Sequence, residues 1–340
     1  MATTGESNDT VSDSNQPAQG SAGSGGRLRT GKVDSVRRLG ILLPFLALFI
    51  YLSFASSAFA TKVNMLNILD QQSATLIIAA AGTLVLVSGG IDLSVGATYA
   101  FAGVTAAHFA AQTSPTVAIL LGIGAGVLVG AANGLIVTVL RINSLIATLA
   151  MAFIIGGVAT RVTSGNLLVL FDKPAFGKLA QTEFLTVKTS IWIMVLSVIV
   201  LGFVLGRSTA GRYIYAVGGN SRAALLAGVP VNRIRILPFV ISGAAAGLAG
   251  VIDTSRVLSA QASSGDVSLT FAVLAGIVVG GTSILGGEGA VWQSVVGVLF
   301  IALIGNGYQL QHYNVLYEQI TLGVILIAAV SLDSWSRSRE

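Results

Sequence analysis

The sequence predicts an all-α polytopic membrane protein, with about ten transmembrane helices and both termini in the cytoplasm. Three observations carry that prediction. Only 10% of the 340 residues are charged, against about 25% in soluble domains, too few to build a water-facing surface for a chain of this size. The apolar residues gather in runs, several of them near the ~20 residues needed to cross a bilayer. The loops between these runs differ in basic content, as membrane orientation demands.

Residues 1–26 are rich in Ser, Gly, Asn, Gln and Asp and contain no aromatic side chain. Such a segment cannot bury enough apolar surface to order itself, so residues 1–38 are expected to be a disordered basic and polar cytoplasmic tail. Apolar spans are then expected at about 39–60, 70–88, 92–110, 117–140, 144–162, 190–206, 236–253, 270–285, 290–308 and 316–332. Residues 333–340 close the chain as a short cytoplasmic terminus.

Loop charges test this threading. With the N-terminus inside, Arg27, Arg29, Lys32, Arg37 and Arg38 are cytoplasmic, as are Arg141, Arg207, Arg212, Arg222, Arg233, Arg235, Arg337 and Arg339. Only Lys62, Arg161, Lys173, Lys178, Lys188 and Arg256 fall outside. This is the positive-inside pattern, and it requires an even number of spans. The net charge of +5 is therefore read as membrane orientation, and no nucleic-acid partner is expected.

Several chemistries are excluded or disfavoured. The chain has no cysteine and two histidines, His108 and His312, so disulfides, thiolate nucleophiles and cysteine-held metals are excluded, and no metal site is expected. None of its lysines sits in a phosphate-binding glycine loop, so the chain is expected to bind no ATP itself; if ATP drives the protein, another subunit must carry the ATP and magnesium. Nothing in the sequence points to an enzyme.

Four stretches are informative. In "GIGAGVLVGAANG", Gly122, Gly126, Gly130 and Gly134 recur every fourth residue, which places them on one helix face and admits a neighbouring helix closely. "GAAAGLAG" (243–250) reads the same way. In "GGIDLSVG", Asp92 has two readings: an intramembrane acid marking a functional site, or the cap of the next helix, facing water beside a tight Gly89–Gly90 turn. Gly90, Asp92 and Ser94 are accordingly candidates for the translocation path. So are Asn133, Asn306 and Gln309, which with Thr138 and Gln293 are the polar side chains that stand out within spans.

The fourth stretch is 207–235, with five arginines and no acid. Inside it "VGGNSRAALLAGVP" encodes a short helix at 220–228: Asn220 caps it, Gly228 ends it in the left-handed region, and Pro230 prevents its resumption. Two turns cannot cross a bilayer. The helix either inserts into a partner's groove through Ala223, Ala224 and Leu225 with Arg222 at the rim, or lies on anionic lipid.

This segment resembles the cytoplasmic coupling loop of the ribose-type sugar permeases of bacterial ABC importers, relatives of the branched-chain amino acid permeases. "LVSGGIDLSVGATYAFAGV" (86–104), "NGLIVTVLRINSLIATLA" (133–150), "ISGAAAGLAGVI" (241–252) and "VVGGTSILGGEGAVWQSVVGVL" (278–299) match that family in the same order. The resemblance implies a permease domain over 39–332 with a coupling loop at 207–235, in which Gly219, Asn220, Arg222, Ala223, Ala224, Leu225 and Gly228 form the ATPase-coupling helix. It implies four kinds of partner: cytoplasmic ATPase subunits, a second permease subunit (identical or not), an extracytoplasmic substrate-binding protein that docks on the charged outer loop 161–189, and membrane lipid. The expected cargo is a monosaccharide; nucleosides, a furanosyl signal molecule or amino acids are alternatives, as is an ATP-independent transporter. The sequence departs from the family pattern in two places: Thr270 and Ala272 stand where an acidic pair usually precedes "GGTS", and "RINSLIATLA" lacks the usual Pro-Phe.

Overall fold

The computed structural model describes residues 40–314, together with 316, 317, 320, 321, 323–325, 327, 328 and 331. The expected tail at 1–38 and terminus at 333–340 lie outside the described residues, and the last expected span, 316–332, lies only partly within them.

The chain is mostly helical, and α2 (Lys62–Val87) is its central helix, following α1 (Leu42–Ala55). Its second half, "SATLIIAAAGTLVLV", is apolar on every face, the pattern of a helix with protein on all sides, and all of Ser73–Ala74 and Leu76–Val87 is buried. The expected span began at 70, whereas the helix starts at Lys62. Thr61 caps it by accepting the Asn64 N–H at 3.3 Å. The amides of the first turns lower the local hydropathy and hide them from a search for apolar runs.

Next come α3 (Val95–Ala110), α4 (Pro115–Val139) and α5 (Ser144–Thr163). Ser114 and Asn143 supply the caps of the last two, and Pro115 sits in the first turn of α4, where no N–H is needed. The 161–189 segment, expected as a loop, contains four small elements. These are β1 (Leu168–Val169), α6 (Pro174–Gln181) and a hairpin of β2 (Glu183–Phe184) with β3 (Val187–Lys188). They are too short to stand alone. Tertiary contacts hold them: Ser255 Oγ donates to Phe176 O and accepts from Ala180 N, and β1 pairs with β4 (Ser259–Ala260).

Beyond α7 (Thr189–Arg207), the 207–235 loop holds α9 (Ser221–Leu226) where a short helix was expected, and also α8 (Thr209–Gly219) and the first turn of α10 (Val231–Val257), which continues through Pro238. A 3-10 turn, Ala262–Gly265, leads into α11 (Val267–Val279), and α12 (Val291–Leu310) follows. The expected 270–285 span overshoots, because the chain leaves the helix at Gly280–Gly281, with Gly281 at φ +98°.

The antiparallel pair α4 and α10 packs closely along most of its length. A β-carbon at Gly126 would stand 2.7 Å from Gly247 Cα, one at Gly130 3.0 Å from Gly243 Cα, and one at Gly134 3.1 Å from Ile236 Cα. At Gly122 it would meet Val251 at 2.6 Å. Only glycine permits this approach, and in lipid such van der Waals contact is a main source of helix association. By contrast α5 and α7 turn apolar side chains outward, among them Phe153, Ile154, Leu196 and Phe203, which suits contact with acyl chains.

Among the described residues, seven segments are long and apolar enough to cross a membrane: α2, α4, α5, α7, α10, Ala262–Val279 and α12. α1 is apolar but shorter.

Candidate functional site

Two regions at opposite ends of α2 hold most of the candidate residues. At the arginine-rich end, Ser208 caps α8 by accepting the Gly211 N–H at 3.0 Å. α8 buries Gly211, Ile214 and Val217, which recur every third residue and so share one face. That face joins an apolar cluster with Leu84, Val87, Leu205 and Val291. Asn220 then caps α9, its Oδ1 accepting from Arg222 N (3.1 Å) and Ala223 N (2.9 Å). Gly228 at φ +81° closes it, with Val229 N bonded back to Ala224 O at 3.0 Å.

The faces of α9 differ from expectation at one residue. Ala224 is buried in the cluster just described, so it cannot make a partner contact; it seats the helix on the bundle. A helix of 6 residues has too little periodicity to reveal its inner face from sequence. Arg222, Ala223, Leu225 and Leu226 point outward, and the two leucines are 61% and 87% exposed.

Beneath α8 and α9 three glycine pairs meet. Val87 O accepts the Gly287 N–H at 2.9 Å. A β-carbon on Gly218 would press on Val87 O and come within 2.8 Å of Gly287 N. Gly286 (φ +90°) lies against Gly89 (φ +82°), and Gly287 (φ +77°) against Gly219. Tyr215 Oη donates to Gly289 O at 2.6 Å.

From this junction the chain 89–94 runs into the bundle rather than turning in water. Gly90 packs on Phe239. The N–H groups of Ile91 and Leu93 donate to Ser144 Oγ (3.1 Å) and Thr148 Oγ1 (2.9 Å), hydroxyls one turn apart on α5. Non-helical backbone at such depth survives only where protein satisfies it. Asp92 is buried, not water-facing as the capping reading had it. Its carboxylate accepts from Ser94 N (2.9 Å), Ser94 Oγ (2.6 Å) and Ser242 Oγ (2.9 Å), so hydroxyls replace solvent. Asn133 Nδ2 donates to Ser94 Oγ at 2.7 Å, which joins α3, α4 and α10 through one polar cluster.

Asn306 and Gln309 lie elsewhere, at the other end of α2. They line a cavity of about 390 Å³ between α2, α11 and α12. Asn306 forms a reciprocal amide pair with Asn64, both bonds 3.0 Å. Thus the six path candidates divide into a buried knot around Asp92 and a groove around Asn306.

A family model described as "Branched-chain amino acid transport system / permease component" matches residues 64–330. The chain belongs to this permease family. It is 35% identical to the ribose import permease protein RbsC of Escherichia coli K12 over 86% of this chain and 92% of the relative. It is 38% identical to the L-arabinose ABC transporter permease protein AraH of Azospirillum brasilense over 92% of each, and 35% identical to RbsC of Bacillus subtilis over 88% and 93%. No solved structure matches the chain. The protein is a multi-pass membrane permease subunit without catalytic function of its own.

Sequence reasoning missed the other half of the groove in this permease: Asn64, Asn67, Gln71 and Gln72 on α2. Their spacing places Asn64, Asn67, Gln71 and Thr75 on one face, a signal available in the sequence once the helix is started at Lys62. The two departures from the family pattern are also placed. Thr270 is buried and accepts the Gly96 N–H at 3.2 Å, while Ala272 lines the groove.

Proposed function

We propose that this chain is the membrane subunit of an ATP-driven, binding-protein-dependent importer of a monosaccharide in a bacterial cytoplasmic membrane. In this reading about ten helices span the bilayer, the arginine-rich end is cytoplasmic, and so are both termini. The observation that carries the proposal is α9: a capped helix seated through Ala224 on the apolar cluster, presenting Leu225 and Leu226 outward beside Arg222. Exposed leucines of this kind fill a groove on a partner. ATP and magnesium belong to that partner, a cytoplasmic ATPase.

ATP binding draws the ATPases together and carries α9 with them. Because α8 and α9 rest on the glycine junction, the displacement passes to the ends of α2 and α12, which wall the path. A second permease subunit closes the open side of the groove against lipid, so that exposed Asn67, Gln71 and Gln309 face the enclosed path rather than acyl chains. A soluble sugar-binding protein delivers cargo at the opposite end, over the 161–189 elements. The importer class is supported by the ribose and arabinose permeases, which are similar over most of the chain. Uptake of labelled ribose or arabinose by proteoliposomes holding the complete complex tests the proposal. ATP-dependent accumulation is expected, and uptake that persists without the ATPase would overturn it.

A further inference from the structure

We infer that the groove between α2, α11 and α12 is a water-filled site that holds an uncharged, polyhydroxylated solute during passage; this rests on the importer reading above. The cavity of about 390 Å³ falls within the roughly 300–1,000 Å³ of small-molecule sites. Its polar lining is made of amides: Asn64, Asn67, Gln71 and Gln72 from α2, Asn306 and Gln309 from α12.

Four of these amides have no partner among the described residues. Asn64 and Asn306 bond to each other and tie the two walls together. Asn67, Gln71, Gln72 and Gln309 make no side-chain hydrogen bond to another described residue. Each offers two donors and one carbonyl acceptor with two lone pairs, which is the complement of a row of hydroxyls. The polar stripe runs from Asn64 to Thr75, three turns along the helix, and unlike the buried Asn133, Thr138 and Gln293 it opens on a cavity. Amides left facing acyl chains carry a desolvation cost, so their accessible face requires water or solute.

Among the described residues the groove carries no charge: no Asp, Glu, Lys, Arg or His lines it. The carboxylate nearest in sequence, Asp70, is buried away from it, paired with Lys188 Nζ at 2.7 Å and bonded by Ser190 Oγ at 2.5 Å. A carboxylate or phosphate solute would find no cation here, and an ammonium no anion. The chemistry therefore fits a neutral sugar and disfavours an amino acid or a phosphorylated sugar.

The absence of cysteine from the chain makes the test direct. Single variants Gln71→Cys and Gln309→Cys are prepared in the assembled importer in membranes, with Phe153→Cys and Leu196→Cys as positions facing out from α5 and α7. A charged methanethiosulfonate reagent is expected to label the first pair and not the second. Failure to label positions 71 and 309 in folded complex would overturn the proposal. In a second arm, Gln71→Leu and Gln309→Leu, each removing a hydrogen-bonding amide, are expected to slow uptake of L-arabinose or D-ribose about tenfold. ATPase stimulation by the binding protein should persist. Wild-type uptake rates in both leucine variants would refute the solute site even if the cysteines react. Uptake of neither sugar by the wild-type complex would refute the importer reading instead, a result separable from the labelling.

Discussion

The carbonyl oxygen of Val87, the last residue of α2, accepts the N–H of Gly287 at 2.9 Å. This bond ties the central helix to the turn between α11 and α12. Gly218 rests against the same carbonyl, so at this point the α8–α9 unit meets both elements through backbone, beside the side-chain contacts of Ile214, Tyr215 and Val217. In the proposed cycle that contact is how a displacement of α9 reaches the helices that wall the groove.

Gly218→Ala is the sharpest test of the junction. Its β-carbon would stand 2.8 Å from Gly287 N and closer still to Val87 O, and both are backbone atoms that cannot swing aside. Overpacking of this kind costs about 1–3 kcal/mol. Thermal unfolding in detergent should fall for Gly218→Ala, and ATPase stimulation in reconstituted complex should weaken. Gly219→Ala, where a β-carbon meets nothing within 4 Å, should behave as wild type. Equal behaviour of the two variants would remove the junction from the account.

A similar contrast tests the α4–α10 seam. Gly126→Ala would place a β-carbon 2.7 Å from Gly247 Cα, whereas at Gly124 nothing lies within 4 Å. Gly126→Ala and Gly130→Leu are expected to lower expression and thermal stability. Gly124→Ala is expected to be neutral, or slightly stabilising because alanine favours helix by about 1 kcal/mol over glycine. Normal yield and melting of both seam variants would contradict close helix contact there.

Asp92→Ala would leave the hydroxyls of Ser94 and Ser242 and the Ser94 N–H without their acceptor. Unsatisfied buried groups cost about 1–3 kcal/mol each, so a marked loss of stability is expected. Asp92→Asn keeps one carbonyl acceptor and should lose less. If both variants melt like wild type and still transport, the 89–94 segment does not depend on this carboxylate.

How much of this was legible in the sequence varied with the range of the forces involved. The caps at Asn220 and Gly228 act within a few residues, and their chemistry was readable directly. So was the four-residue glycine rhythm of α4, because helical periodicity is local. α8 escaped notice because "TAGRYIYAVGG" contains no long apolar run, although Gly211, Ile214 and Val217 marked its buried face. The first turns of α2 were passed over for the property that gives them interest, their amides. Whether Asp92 faces water or Ser242 depends on α10, some 150 residues away, and no local pattern encodes it. The inward aim of Ala224 is likewise set by Leu84, Ile214 and Ile234.

The central claim, that α9 is the docking element for an ATPase, is tested most directly by affinity purification of the complex in mild detergent with identification of the co-purifying chains. Three forms are compared: wild type, Leu225→Asp with Leu226→Asp, and Ala224→Arg. The account predicts recovery of a P-loop ATPase with the wild type. It predicts a folded, monodisperse but ATPase-free double variant, since both leucines are exposed. Ala224→Arg should fail earlier, by misfolding, since its side chain is buried. A double variant that retains the ATPase at wild-type stoichiometry would contradict the claim.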